Sequence, residues 1–206
     1  MQGITRNPGP PPVILASGSP QRREMLTRVG LDFEIAVSGV EEIVHGDPES
    51  VVVANATLKA RAALEAVSQG GAPDDGVGAG ALIIGCDTDV VIEDHLIGKP
   101  EDEVRAREYL AQLSGRTHRV ISGLAVIGPE SDRVRTGTEQ TQVRFRSLSR
   151  PEVDRYLATG EWQGRAGGYA IQGRGSALVD RIDGDVSNVI GLPIGLLYEL
   201  APELEA

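Results

Sequence analysis

Two short apolar runs limit what this chain can fold into. Val13, Ile14, Leu15 and Ala16 lead without a polar residue into Ser17-Gly18-Ser19, and Ala81, Leu82, Ile83 and Ile84 lead in the same way into Gly85-Cys86-Asp87-Thr88. Neither run alternates, so neither suits a sheet with one wet face. Each reads as a strand covered on both sides, which a layered α/β fold supplies. The first run is followed by Pro20, whose ring is pre-set for the first helical position, with Ser19 before it as N-cap. Met25, Leu26 and Val29 give that helix an apolar side, and Gly30 ends it.

The rest of the chain extends this pattern. Residues 33–37 read as a strand, and residues 48–68 as a long helix with Val51, Ala54, Leu58 and Ala62 on its apolar face. Residues 89–92 and 96–97 flank Glu93-Asp94-His95 as a hairpin, and residues 100–113 form a helix. Residues 118–127 and 133–145 read as long antiparallel neighbours, followed by a helix at 150–159. Short strands are expected at 169–172 and 177–181, and a closing helix at 193–204 opens on Pro193. Strands and helices alternate early and strands dominate late, which predicts an α/β fold with a mixed, twisted sheet and flanking helices. Pro8, Pro10, Pro11 and Pro12 mark residues 1–12 as a flexible extension, leaving residues 13–206 as a single domain. The Gly-, Pro- and Asp-rich residues 70–80 read as a flexible insertion.

Composition narrows the function classes. Thirty acidic against twenty basic residues give a net charge of −10, which argues against non-specific binding to nucleic acid or to an anionic membrane. A lone Cys86 excludes an intramolecular disulfide framework and a cysteine-cluster metal site, and fits a reducing compartment. His45, His95 and His118 stand in unrelated contexts, unlike a zinc site. No apolar run approaches the ~18–20 residues that cross a bilayer, and the N-terminus has no apolar core of a signal peptide, so a cytoplasmic location is expected.

Three segments carry polar residues where chemistry is expected. In Ser17-Gly18-Ser19-Pro20-Gln21-Arg22-Arg23, hydroxyls and the positive end of a helix meet two guanidiniums, which suits a phosphate. Adjacent helical residues point about 100° apart. Arg22 is therefore assigned to one phosphate, and Arg23 to a second group or a carboxylate; an N-cap serine with solvated arginines is the plainer reading. Asp87, after a buried strand, is placed to hold a metal, orient a water or act as a general base, or else it caps a turn. Lys99 in Gly98-Lys99-Pro100 stands before the next helix as a point charge for phosphate, or is solvated. Glu42 and Lys59 carry weaker signals, and Gln172 lies in a glycine-dense stretch where its amide is able to read a base edge.

Together these segments resemble the Maf family of nucleoside triphosphate pyrophosphatases. The likeness rests on Leu15-Ala16-Ser17-Gly18-Ser19-Pro20-x-Arg22, Gly85-Cys86-Asp87-Thr88, Gly98-Lys99-Pro100 and Leu113-Ser114-Gly115-x-x-His118-x-Val120. It continues through Arg165-Ala166-Gly167-Gly168-Tyr169-Ala170-Ile171-Gln172-Gly173 and Asn188-Val189-Ile190-Gly191-Leu192-Pro193. The resemblance implies a two-lobed α/β fold around a long cleft, related to the inosine triphosphatases. It implies hydrolysis to a monophosphate and pyrophosphate with a divalent cation such as Mg²⁺ or Mn²⁺, and a homodimer. By position, Ser17, Ser19, Arg22, Arg23, Lys59 and Lys99 hold the triphosphate, with Lys99 also neutralising the leaving group. Glu42 and Asp87 serve the metal and the attacking water, with Asp87 as proton acceptor. Thr88 and Gln172 match the subgroup that prefers dTTP and UTP, whereas Gln21 departs from that subgroup's usual arginine. The competing readings are a non-hydrolytic nucleotide-binding regulator of septum formation, and a nucleotidyltransferase.

Overall fold

The computed structural model describes residues 11–37, 39–69, 80–129 and 131–205. The expected N-terminal extension lies almost wholly outside the described residues, as does all of the expected 70–80 insertion except Gly80. Among the described residues, seven strands form one sheet: β1 (Val13–Leu15), β2 (Phe33–Ile35), β3 (Leu82–Ile92), β4 (His95–Ile97), β5 (Thr117–Gly128), β6 (Ser131–Phe145) and β7 (Val179–Asp183). Their order is β2-β1-β3-β5-β6-β7, with β4 pairing β3. The β2–β1 and β1–β3 pairs are parallel and the remaining pairs are antiparallel, so the sheet is mixed. The helices are α1 (Pro20–Arg28), α2 (Pro48–Ser68), α3 (Glu103–Leu113), α4 (Arg150–Leu157), α5 (Val186–Ile190) and α6 (Ile194–Leu200). An α/β fold with flanking helices is therefore what the chain adopts.

The apolar runs of the sequence become the buried strands. Val13, Ile14, Leu15, Leu82, Ile83 and Ile84 are each at most 4% exposed, with helices on both faces. Leu15, Leu82 and Ile84 pack with Met25 and Leu26 of α1 and Leu197 of α6. Ile14 and Ile83 face the other way, toward Ala56, Ala60 and Ala63 of α2. A second lobe gathers Leu110 and Leu113 of α3, Tyr156 of α4, Phe145 and Tyr169 around the far end of the sheet.

The most consequential contact is between α2 and the sheet. A side chain on Gly85 would place its Cβ 2.1 Å from the Ala56 carbonyl oxygen, and one on Gly123 would reach 2.4 Å from that of Val52. Two side-chain-free positions thus let the helix backbone rest directly on β3 and β5. Small residues on the helix complete the fit, since Ala56 and Ala60 are fully buried. This corrects the expected apolar face. Val51, Val52, Asn55, Ala56, Lys59, Ala60, Ala63 and Val67 face inward, while Leu58 is exposed and Ala54 and Ala62 are only half-buried. Residue size and the bare sheet override hydrophobic periodicity here, and the rotation turns Asn55 and Lys59 inward.

Other boundaries shift for local reasons. β3 runs eleven residues, so Asp87 lies within it and not at its carboxyl end. Helix α3 begins at Glu103 because Asp102 caps it by accepting the Arg105 amide, which leaves Lys99 in a loop short of the helix. The short strand expected at 169–172 is absent: Gly167 and Gly168, both with φ of 68°, turn the chain just before it. The next strand is Val179–Asp183, α5 was not anticipated, and the closing helix divides into α6 and a final turn at Pro202–Glu205.

The α2 contact has a measurable consequence. Gly85→Ala is expected to lower the unfolding free energy by about 3 kcal/mol or more, because the added carbon meets backbone that cannot yield. Gly195→Ala in α6, where no atom lies within 4 Å, serves as the control and is expected to be neutral or stabilising. Urea unfolding of the two variants checks both.

Candidate functional site

The site begins with a gap in the sheet. On one side, β3 pairs with β5 from Ile83 through Val91. On its other side, β1 stops at Leu15 opposite Ile84, and β4 begins only opposite Val90. The Ala16 amide still donates to the Ile84 carbonyl at 2.8 Å. Beyond it, the first run leaves the sheet at Ser17 and the β3 edge is open. Its backbone groups still need partners.

Arg22 supplies one for the Cys86 carbonyl. Its Nη1 donates to the Cys86 carbonyl at 2.8 Å and to Ser17 Oγ at 3.0 Å. Its Nε donates to the Gly191 carbonyl at 2.8 Å, and Nη2 to Thr88 Oγ1 at 3.2 Å. The residue is 9% exposed. A guanidinium has five N–H donors, so these four bonds leave one for a ligand. Arg22 is thus chiefly a tie between α1, β3 and the α5–α6 connection. Thr88 shares that tie, since its hydroxyl also meets Gly191 O at 3.2 Å and Ser122 Oγ at 2.8 Å.

The α1 turn is ordered by its own side chains. Ser19 caps the helix by accepting the Arg22 amide and donates to Gln21 Oε1 at 3.0 Å. Ser17 Oγ accepts the Ser19 amide at 3.3 Å.

Across the gap stand the charged groups. Lys59 Nζ lies 2.6 Å from Asp87 Oδ1 and 2.6 Å from Glu42 Oε1. Asn55 Nδ2 donates to Asp87 Oδ2 at 2.9 Å and to the Ile43 carbonyl at 2.9 Å, and its Oδ1 accepts the Ile43 amide at 2.8 Å. One buried amide therefore fastens both Asp87 and the loop that carries Glu42. Asp89 projects from the same side of β3 as Asp87, two residues on. Burial, then the charges of Asp87 and Glu42, raise its carboxyl to about 6.

Glu42, Lys59 and Asp87 border a cavity of about 390 Å³, with Asn55 and Asp89 behind its lining. Ser17, Ser19, Gln21, Arg22, Glu42, Lys59, Asp87, Thr88, Lys99 and Gln172 all line it. Arg23 does not, and is exposed. Lys99 is exposed at the opposite wall and makes no ion pair among the described residues. Arg165 lines the cavity as well, its Nε held by the Glu161 carbonyl at 3.0 Å. Asn55 and Asp89 were missed as site residues. Asn55 was legible as the residue one turn before Lys59, and Asp89 as the same-face neighbour of Asp87.

The wall bearing Gln172 is braced from outside. Glu161 accepts the amides of Arg174 and Gly175, both at 3.0 Å, which fixes the turn after Gln172. Behind it, His118 Nε2 pairs with Tyr169 Oη at 2.8 Å within a cluster of edge-to-face rings that includes Phe145. Burial lowers the His118 pKa to about 4 and pushes the Tyr169 phenol up.

A cavity bounded by a phosphate-type turn, by lysines from separate elements and by an oriented carboxylate belongs to the class of sites that handle polyphosphates. The whole chain agrees with that class: residues 12–204 match the Maf-like protein family, and the chain belongs to it. It is similar to a dTTP/UTP pyrophosphatase of Dictyoglomus thermophilum, 40% identical over 93% of this chain and 95% of the relative. Another dTTP/UTP pyrophosphatase, from Deinococcus radiodurans, is 42% identical over 92% and 91% of the two chains. Among solved structures, the Ham1 protein of Staphylococcus aureus overlaps 65% of this chain and 71% of its own at 12% identity and a TM-score of 0.43.

Two outcomes follow from the geometry. Arg22→Lys is expected to destabilise the fold by about 3 kcal/mol, since a lysine cannot satisfy the Cys86 and Gly191 carbonyls together. Lys99→Met, by contrast, is expected to leave the melting temperature unchanged and to weaken nucleotide binding; thermal unfolding and a binding titration separate the two.

His118 gives a pH dependence. Its folded pKa lies below the unfolded value of about 6.5, so the unfolded chain takes up the proton first as pH falls. Stability is whole above pH 6.5 and declines toward pH 4, by up to about 3 kcal/mol from this group. Protonation of Asp89, whose folded pKa is raised to about 6, stabilises the fold over the same range, so the His118 part is read as the difference between wild type and His118→Phe: denaturant unfolding at pH 7 and pH 5 is expected to show the wild type losing more, or gaining less, stability than the variant.

Proposed function

We propose that this chain hydrolyses nucleoside triphosphates to a nucleoside monophosphate and pyrophosphate by attack of water at the α-phosphate. The observation that carries this reading is Asp87. It lies in the open stretch of β3 and faces the cavity, and Lys59 and Asn55 each hold one of its oxygens. A carboxylate fixed in this way is suited to orient a water and take its proton. The Ser17–Ser19 turn and Lys99 border the same space from different directions, as a triphosphate with several charges requires. Lys99 neutralises charge on the departing pyrophosphate, and Lys59 offers its remaining N–H to the substrate.

Pyrimidine nucleotides, dTTP and UTP, are the proposed substrates. The two relatives carry that activity in their names. Gln172 adds support: its amide makes no hydrogen bond within the protein among the described residues and borders the cavity. Gln21, by contrast, has its carbonyl committed to Ser19. Thr88 acts through the wall it builds with Arg22 and Gly191. Arg23 has no part in the reading, because its side chain stands outside the cavity. A reducing, cytoplasmic setting belongs to the same proposal, supported by the single buried thiol of Cys86, and so does a homodimer, which rests on the resemblance. No helix of the described residues is long and apolar enough to cross a membrane.

The divalent cation implied by the resemblance was assigned to Glu42 and Asp87. Those residues do not fit as joint ligands of a resident ion, because the Lys59 ammonium already stands between them at 2.6 Å from each. Among the described residues, no group of three His, Cys, Asp or Glu side chains is placed to hold one. The steps above are accordingly assigned to the side chains alone.

The test is a turnover assay on a panel of triphosphates in ¹⁸O-water, with products separated by chromatography. Monophosphate and pyrophosphate are expected from dTTP and UTP, with the label in the monophosphate. Label in the pyrophosphate would place attack at the β-phosphate and sink the mechanism. Asp87→Asn is expected to keep the fold and lose about 100-fold or more in kcat.

A further inference from the structure

We infer that Lys59 takes the place of a protein-held metal in the substrate-free site, so that a divalent cation enters only as a complex with the nucleotide. The inference rests on the pyrophosphatase reading and deepens it. A hard divalent ion binds carboxylate oxygens at about 2.0–2.6 Å. One shared by Glu42 and Asp87 would coincide with the Lys59 ammonium, which lies 2.6 Å from an oxygen of each. Two cations do not share that space.

Neither partner is free to yield it. The Lys59 side chain is 11% exposed and rises from the face of α2 that rests on the sheet, beside the fully buried Ala56 and Ala60. Asp87 has its second oxygen on Asn55, and Asn55 is itself fixed by two bonds to the backbone of Ile43. Turning Asp87 toward an ion would break its bond to Asn55 as well as its ion pair with Lys59. The ammonium is a compact charge with three donors, two of them spent on the two carboxylates. It balances part of the charge of Glu42 and Asp87 before substrate arrives, which a site without resident metal requires.

A triphosphate changes the balance. It brings its own oxygen ligands and several negative charges, so an ion bound to it needs no displacement of Lys59. The ordering that results is specific: nucleotide bridges protein and metal, and metal does not bridge protein and nucleotide.

Water-proton relaxation with Mn²⁺ distinguishes these arrangements without turnover. Mn²⁺ mixed with the intact protein alone is expected to give no enhancement, and Mn²⁺ with protein and the α,β-methylene analogue of dTTP a clear one. Lys59→Met, which keeps the stem and removes the charge, is expected to tighten nucleotide-free Mn²⁺ binding by about tenfold or more. Enhancement in the wild-type protein without nucleotide, as strong as with it, would overturn the inference, and this arm stands whether or not the Lys59 variant folds. Product analysis of dTTP under the same conditions separates the two readings. Turnover with binary metal binding sinks only the role of Lys59. Absence of turnover, together with no enhancement in either mixture, sinks the pyrophosphatase reading and this inference with it.

Discussion

An interrupted strand edge organises this molecule. Between the end of β1 and the start of β4, β3 has no neighbour on one side, and the Cys86 carbonyl would be left without a donor. The buried guanidinium of Arg22 closes that gap. It reaches Cys86 in β3, Ser17 in the turn and Gly191 in the last connection, so three distant stretches of chain meet on one planar group. The cavity exists because a side chain, and not another strand, completes the edge. Its floor is rigid for the same reason, as each donor of Arg22 that is committed removes a way for the wall to move.

The opposite wall depends on contact without side chains. Gly85 and Gly123 let α2 lie on the sheet at backbone distance, and that approach brings Lys59 and Asn55 within hydrogen-bond range of Asp87. A larger residue at either glycine would lift the helix and separate the charged groups together. Packing and chemistry are therefore one constraint here. The same helix that completes the core sets the charge distribution of the cavity, and Asn55 carries its position on to the Glu42 loop.

Much of the fold was legible because its cause is local. The apolar runs at Val13 and Ala81, the prolines that open helices at Pro20 and Pro48, and the long apolar strand β5 are short-range signals. The boundaries that moved depend on partners far along the chain. The buried face of α2 departs from the apolar periodicity because Leu58 outranks Ala56 in apolarity, whereas the bare surface of the sheet accepts only the smaller residue. The short strand expected at 169–172 does not form, because the two turned glycines just before it redirect the backbone.

The candidate site divides in the same way. The sequence alone named Ser17, Ser19, Arg22, Glu42, Lys59, Asp87, Lys99 and Gln172 as candidates, from residue type, motif and family likeness, and all of them border the cavity. It also determined the alternation of buried strands and helices, since apolar runs and caps act within a few residues. Only the tertiary structure decided how those groups divide their work. Arg22 became a structural tie, Arg23 was left outside, and Lys59 came to stand between two carboxylates. The physical reason is that a hydrogen bond or ion pair forms between atoms a few ångströms apart in space, whatever their separation in the chain. Glu42, Lys59 and Asp87 come from a loop, a helix and a strand that only the packing of α2 on the sheet brings together.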